Sequence, residues 1–336
     1  MLAFGFLRRD IVAAAVLLAA AAIADPASAQ QRKFSFGYDQ PRTTGYGIAA
    51  DIFNARLMEL SGGKFGIDQF PGASLGQEPV MLQKLRSGDI DFIITSSANA
   101  STVAPESGVM SLHFLFRDEG HLRKSIADQG VITAIKNMIA ASVQGAHVLC
   151  VETLGFRNIY SKSEYRKVGD LKGVKIRVQA TKTEDTAFPA YGAQTVHMPF
   201  GEVYTSLQTG VVQAAENGVN VYLSNKHYEV APIMSMTEHE ANNGFIWVSD
   251  KTWSGLSDEE KRWMQGAADE VARVQPDKAL QLEKDSAGKL EKFGVKIVRD
   301  VDKSGFLAAA KPIQEQLAKE LGPHAIKIMG LIQAVQ

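Results

Sequence analysis

The stretch DIDFIITSS at 89–97 constrains the fold more than any other part of the chain. It is an apolar run too short for a core helix, and it reads as a parallel strand buried on both faces. It closes a regular series. KFSFGYD (33–39) reads as a strand, and GYGIAADIFNARLMELSGG as a helix stopped by Gly62-Gly63. KFGIDQF (64–70) is a second strand, Pro71-Gly72 a turn, and 77–87 a second helix. A β-α-β-α-β order predicts a layered α/β unit with a largely parallel sheet.

A second series starts near Gly145. HVLCVET and VKIRV read as strands, TEDTAFPAYG as a helical turn and QTVHM as a strand. GEVYTSLQTG then reads as a helix closed by Gly210, and VVQAAEN as another strand. FIWVS, after Asn243, is a further strand. Ser257 and Glu260 form a capping-box pattern at the start of a long helix, and Pro276 is expected to kink or break it. VKIVRD (295–300) and a helix over about 304–320 complete the chain. The pattern predicts two α/β lobes joined by several crossings: a clamshell, with its ligand in the crevice at the carboxyl ends of strands.

Composition narrows the class. The chain has 336 residues, 45% of them hydrophobic, enough for two medium domains with real cores. A formal net charge of −1 carries neither a nucleic-acid footprint nor a polybasic membrane patch. Arg8-Arg9, the apolar run from Ile11 to Ala24 and Ala27-Ser28-Ala29 form an export segment over 1–29, cleaved after Ala29. The mature chain is expected in the periplasm and not embedded in a membrane. The lone cysteine, Cys150, sits in AHVLCVE and is expected to be buried packing, with no intramolecular disulfide.

No dinucleotide, Walker, nucleophile-elbow or zinc-protease motif occurs in the chain. EHE (238–240) is a poor metal-ligand set if it is a strand, because neighbours face opposite ways, and it is expected to be a solvated or locally bonded turn. No catalytic residue, metal or cofactor is assigned. What stands out is polar residues at strand ends: Arg177 inside LKGVKIRV, Arg157 in LGFRN and Asn217 at the end of VVQAAEN. An arginine between Ile176 and Val178 either faces solvent or reaches into a cleft to hold an anion with its planar fork.

Those residues carry a resemblance. LKGVKIRV, MPFGEVYTSLQTGVV, the EN pair, FPGASLGQEPVMLQKLRSGDIDFIITSS, FLFRDEGHL, GFRN and SNKHYEV resemble the DctP-like substrate-binding proteins of TRAP transporters, in order along nearly the whole mature chain. The resemblance implies a two-lobed, type II-like periplasmic clamshell with a long helix spanning both lobes, without enzymatic activity or cofactor. Lobe I would be 30–153 plus about 243–282, and lobe II 154–242 plus about 283–336. It implies capture of an organic acid and delivery to TRAP membrane permease subunits, by a monomer. Arg177 would grip the carboxylate, assisted by Arg157 and Asn217, with Phe200 packed on the ligand. Tyr38, Asp39, Glu78, Ser96, Ser97 and Asn99 would line the opposite edge, with Asn242 and Asn243 at the crossing back. Gln213 and Gly218 depart from the family's usual Asp and Pro. A hydroxyl- and amide-rich edge without a second arginine predicts a sugar-type or hydroxy monocarboxylate. Tyr38, Phe200 and Tyr222 leave room for an aromatic acid. Two other readings stay open: a periplasmic sensor, and an enzyme using Asp39, Glu78 or His239 for acid–base work.

Overall fold

The structure, a computed structural model, describes residues 31–336. The expected export segment and its cleavage site lie outside these residues. Among the described residues, no helix is long and apolar enough to cross a membrane.

Strand β1 (Arg32–Gly37) leads into α1 (Gly45–Leu60), β2 (Phe65–Phe70), α2 (Glu78–Ser87) and β3 (Phe92–Ser96). Helices α3 (Ser97–Ala100), α4 (Glu119–Ala127) and α5 (Gln129–Ser142) follow. The chain then forms β4 (Ala146–Ser161), β5 (Lys175–Val178), α6 (Lys182–Ala190), β6 (Gln194–His197), α7 (Val203–Thr209), β7 (Ala214–Asn217) and α8 (Val219–Ser224). Last come β8 (Ile233–Ser249), α9 (Asp250–Ser254), α10 (Asp258–Lys292), β9 (Lys296–Val298), α11 (Ser304–Leu321) and α12 (Pro323–Ala334).

The strands form one sheet in the order β2-β1-β3-β8-β4-β7-β5-β6, with β9 also paired to β8. β1 lies parallel to β2 and β3, and β5 parallel to β6 and β7, so each lobe has its own parallel wing. The antiparallel pair β4 and β8 joins them. At 16 and 17 residues these two strands reach about 50 Å and serve both lobes. Their ladder slips between Val148 and Cys150, Thr153 and Phe156, and Arg157 and Ile159, so the pair is not one flat ribbon. Cys150 is buried in it, as its apolar setting predicts.

The structure corrects three expectations. β8 begins at Ile233, not after Asn243, and EHE lies inside it with His239 and Glu240 buried. The strand was hidden because polar side chains fill the positions that apolar ones would occupy in a core strand. Helix α10 runs 35 residues from the Ser257–Glu260 capping box and does not break at Pro276. Proline removes one backbone bond, but Val271, Gln275, Pro276 and Ala279 are all buried, so packing holds the helix on both sides of it. The chain's end does not stay with lobe II: Ala325, Ile328 and Ile332 of α12 pack with Val131, Ile135 and Met138 of α5 in the first lobe's core.

Candidate functional site

Strand β5 has two faces. Ile176 and Val178 enter the core formed with Phe188, Tyr191 and Phe306. Arg177, one residue out of phase, lies in the crevice between the lobes and is only 4% exposed. Its Nε and Nη2 donate to the Met198 carbonyl at 3.3 and 2.9 Å, and its Cζ lies 5.8 Å from the centre of the Phe200 ring. Among the described residues no carboxylate stands within ion-pairing distance of it. Burial pushes its pKa down, the mark of a cation short of compensation.

Arg157, on β4, is different. Its Nη2 donates to Glu216 Oε1 at 2.6 Å and to the Glu216 carbonyl at 3.1 Å, and its Nε also pairs with the Glu216 carboxylate. Its Nη1 donates to Asn242 Oδ1 at 3.0 Å. Burial opposes its charge, but Glu216 and Glu240 beside it more than offset that. Arg157 lines the crevice as a fixed, neutralised cation. Asn242 Nδ2 in turn donates to Asn217 Oδ1 at 2.9 Å, which sets Asn217 on the crevice floor.

The opposite wall centres on Glu78, the first residue of α2. One carboxylate oxygen accepts from the Ser96 amide at 2.9 Å, Ser96 Oγ at 3.0 Å and Asn99 Nδ2 at 2.8 Å. The other accepts from Tyr46 Oη at 3.3 Å. These donors favour the anion. Asp39 beside it is raised well above the usual carboxylate range, first by burial and then by the Glu78 charge. Burial raises Glu78 as well, though its donors oppose this, so a proton shared by the two acids rests more readily on Asp39. Gln40 Nε2 donates to Asp39 Oδ1 at 3.1 Å. Gln179 reaches across the crevice, its Nε2 donating to Ser96 Oγ at 2.9 Å, while its buried Oε1 has no partner.

Of the residues singled out from sequence, Arg177, Arg157, Asn217, Phe200, Asp39, Glu78, Ser96 and Asn99 come together around one narrow crevice. Asn242, the weaker candidate, joins them. Three do not. Tyr38 is packed against Phe36 and Tyr46, and its hydroxyl donates to Gln69 Oε1 at 2.7 Å. Ser97 turns away to Ser111, 3.3 Å distant. Asn243 is buried on β8 opposite Thr153. Each stands next to a lining residue, and the alternation of a strand or turn sends the neighbour elsewhere. Tyr222 also leaves the crevice, its hydroxyl bonded to the Ala231 carbonyl. Sequence reasoning missed Gln40, Tyr46, Leu154 and Gln179. Gln179 was legible, because it lies two residues beyond Arg177 and so on the same side of the strand.

Residues 36–321 match bacterial extracellular solute-binding protein family 7, DctP. The chain is 28% identical to the 2,3-diketo-L-gulonate-binding periplasmic protein of Escherichia coli K12, over 96% of this chain and 98% of that one. A crystal structure of a TRAP periplasmic solute-binding protein from Xanthobacter autotrophicus Py2, with bound β-D-galacturonate, superposes with a TM-score of 0.84. The two are 30% identical, over 90% of this chain and 100% of that one. Another, from Polaromonas sp. JS666 bound to D-erythronate, gives a TM-score of 0.85 at 27% identity, over 91% and 99%. With a match that spans most of its length and both lobes, the chain belongs to family 7 of the bacterial extracellular solute-binding proteins, the receptors of TRAP transporters.

Proposed function

We propose that this chain is a periplasmic receptor for a sugar-acid monocarboxylate, which it hands to a TRAP membrane permease. The observation that carries the reading is Arg177, a buried guanidinium with no carboxylate in ion-pairing range among the described residues. A cargo carboxylate supplies that missing charge. Asp39, Glu78, Asn99 and Gln179 face it with a protonated acid, an anion and two amides, a set suited to hydroxyl groups. Arg157 is already neutralised by Glu216, so among the described residues the crevice offers one free cation and suits one carboxylate. The uronate and erythronate in the related structures fit that chemistry.

The receptor acts after export to the periplasm and cleavage after Ala29, as a monomer that binds its cargo without altering it. Its lobes comprise 30–153 with about 243–282, and 154–242 with about 283–336 less α12, which packs on α5 of the first lobe, hinged where β4 and β8 cross between the two wings. Closure of such a hinge takes water away from the ion pair and strengthens it.

Isothermal titration of residues 31–336 with D-galacturonate, D-glucuronate, D-erythronate, 2,3-diketo-L-gulonate and succinate tests the cargo class. One of the four sugar acids is expected to bind far more tightly than succinate. Preference for succinate would overturn the monocarboxylate reading. Mass spectrometry of the ligand recovered after long incubation is expected to find it unchanged, and a product would make the crevice an active site.

A further inference from the structure

Behind Arg157, on the side away from the crevice, the interior holds a cluster of titratable groups that cargo binding does not use. His113 follows the turn at 105–111, Glu184 belongs to α6, Glu216 to β7, and His239 and Glu240 to β8. All five are at most 2% exposed. The two imidazoles stand 4.8 Å apart, centre to centre.

Consecutive strand residues normally face opposite ways. Here they do not. Arg157 pairs with Glu240 and Ile159 with Ser235, so residues 236–239 stand against Asn158 alone. Glu238 sits at φ 45°, and Asn158 Oδ1 accepts from its amide at 3.0 Å. This bulge turns His239 to the same side as Glu240.

Each imidazole is anchored at Nδ1: His113 to the Tyr191 hydroxyl at 2.9 Å, and His239 to Thr237 Oγ1 at 2.8 Å. That leaves both Nε2 atoms toward the cluster. His239 Nε2, Glu240 Oε2 and Glu184 Oε1 are buried without hydrogen-bond partners. One ligand atom from each of His113, His239 and Glu240 lies within 4.8 Å of the others.

We propose that His113, His239 and Glu240, closed by Glu184, form a structural site for a divalent transition-metal cation of the Zn²⁺ type. Two imidazoles and a carboxylate are an established zinc ligand set, and the hydroxyls on Nδ1 are the outer partners that fix ring orientation in such sites. Tetrahedral zinc at about 2.0–2.2 Å places its ligand atoms roughly 3.4 Å apart, so the shell closes by up to about 1.4 Å on binding. The charge agrees. Among the described residues Glu184, Glu216 and Glu240 oppose only Arg157, leaving two negative charges that one divalent cation neutralises. The alternative compensation is two protons on Glu184 and Glu240.

The test is to unfold the chain with chelator and refold it with Co²⁺, in a His147→Ala/His197→Ala background. That background removes two exposed histidine–carboxylate pairs. About one ion per chain is expected after dialysis, with the strong visible bands of four-coordinate Co²⁺ and a midpoint of thermal unfolding several degrees above the metal-free protein. His239→Gln and Glu240→Gln should abolish the bands and the shift. Refolded protein with less than about a tenth of an ion per chain, no visible bands and an unchanged midpoint would overturn the site and leave protons as the compensating charge. That arm needs no buried variant to fold.

Discussion

At the scale of single residues, the special setting of Arg177 could be read and the ion pair of Arg157 could not. Arg177 interrupts an apolar alternation, so its sequence context already says that one side of the strand is special. The resemblance implies that Arg157 assists the grip, and in the structure Glu216, 59 residues away, pairs with its charge. No local pattern announces such a pairing. The two arginines should therefore answer differently to substitution. Arg177→Ala leaves a cargo carboxylate buried without its cation, a loss of about 3–5 kcal/mol, or roughly two to three orders of magnitude in Kd by titration calorimetry. An Arg177→Ala variant of near-normal affinity would remove the basis of the assignment. Asp39 carries a second prediction. Its folded-state pKa is raised, by burial first and by Glu78 second, so it is neutral at low pH and ionises as pH climbs through that raised value. Ionised Asp39 repels a cargo whose own carboxylate is already charged. Affinity should fall as pH rises through that range, by at most about tenfold per pH unit, and Asp39→Asn should flatten the profile. Wild-type affinity that holds steady or improves toward alkaline pH would place the shared proton elsewhere.

At the scale of elements, legibility followed burial of apolar side chains. β3, α1 and the capped start of α10 emerge from sequence because their residues obey strand or helix periodicity and carry stop or cap residues. The first half of β8, MSMTEHE, does not, because it spends its inward positions on the polar interior beside Arg157. The same exchange occurs where α10 meets β4. Gln275 is fully buried, accepts from the Thr153 amide at 3.2 Å, and donates to the Thr153 carbonyl at 2.7 Å and Glu152 Oε2 at 2.9 Å. It binds the long helix to the crossing strand one residue before Pro276, where the helix has no backbone donor of its own. Gln275→Leu keeps the bulk and strands those groups, each at a cost of about 1–3 kcal/mol. Denaturant unfolding should show that loss. A variant within about 0.5 kcal/mol of wild type, the range of ordinary surface changes, would mean that packing alone joins the two elements.

At the scale of the whole molecule, the crevice is narrow because the lobes already touch. Gln179 donates to Ser96 at 2.9 Å, Asn225 Nδ2 to Gln40 Oε1 at 3.2 Å, and Thr43 Oγ1 lies 3.2 Å from Ser224 Oγ. Only the first of these bonds is buried, so it is the one that water replaces least readily. A net contribution of about 0.5–1.5 kcal/mol from that bond shifts an open–closed equilibrium roughly two- to twelvefold. Its loss should favour the open form of the cargo-free receptor. Gln179→Ala is therefore expected to enlarge the radius of gyration seen by small-angle X-ray scattering without cargo, and saturating cargo should restore the compact value, because the Arg177 ion pair still rewards closure. Equal radii for variant and wild type without cargo would mean that the bond forms only after the carboxylate is in place. In that case closure follows cargo, and the free receptor rests open whether or not residue 179 can reach Ser96.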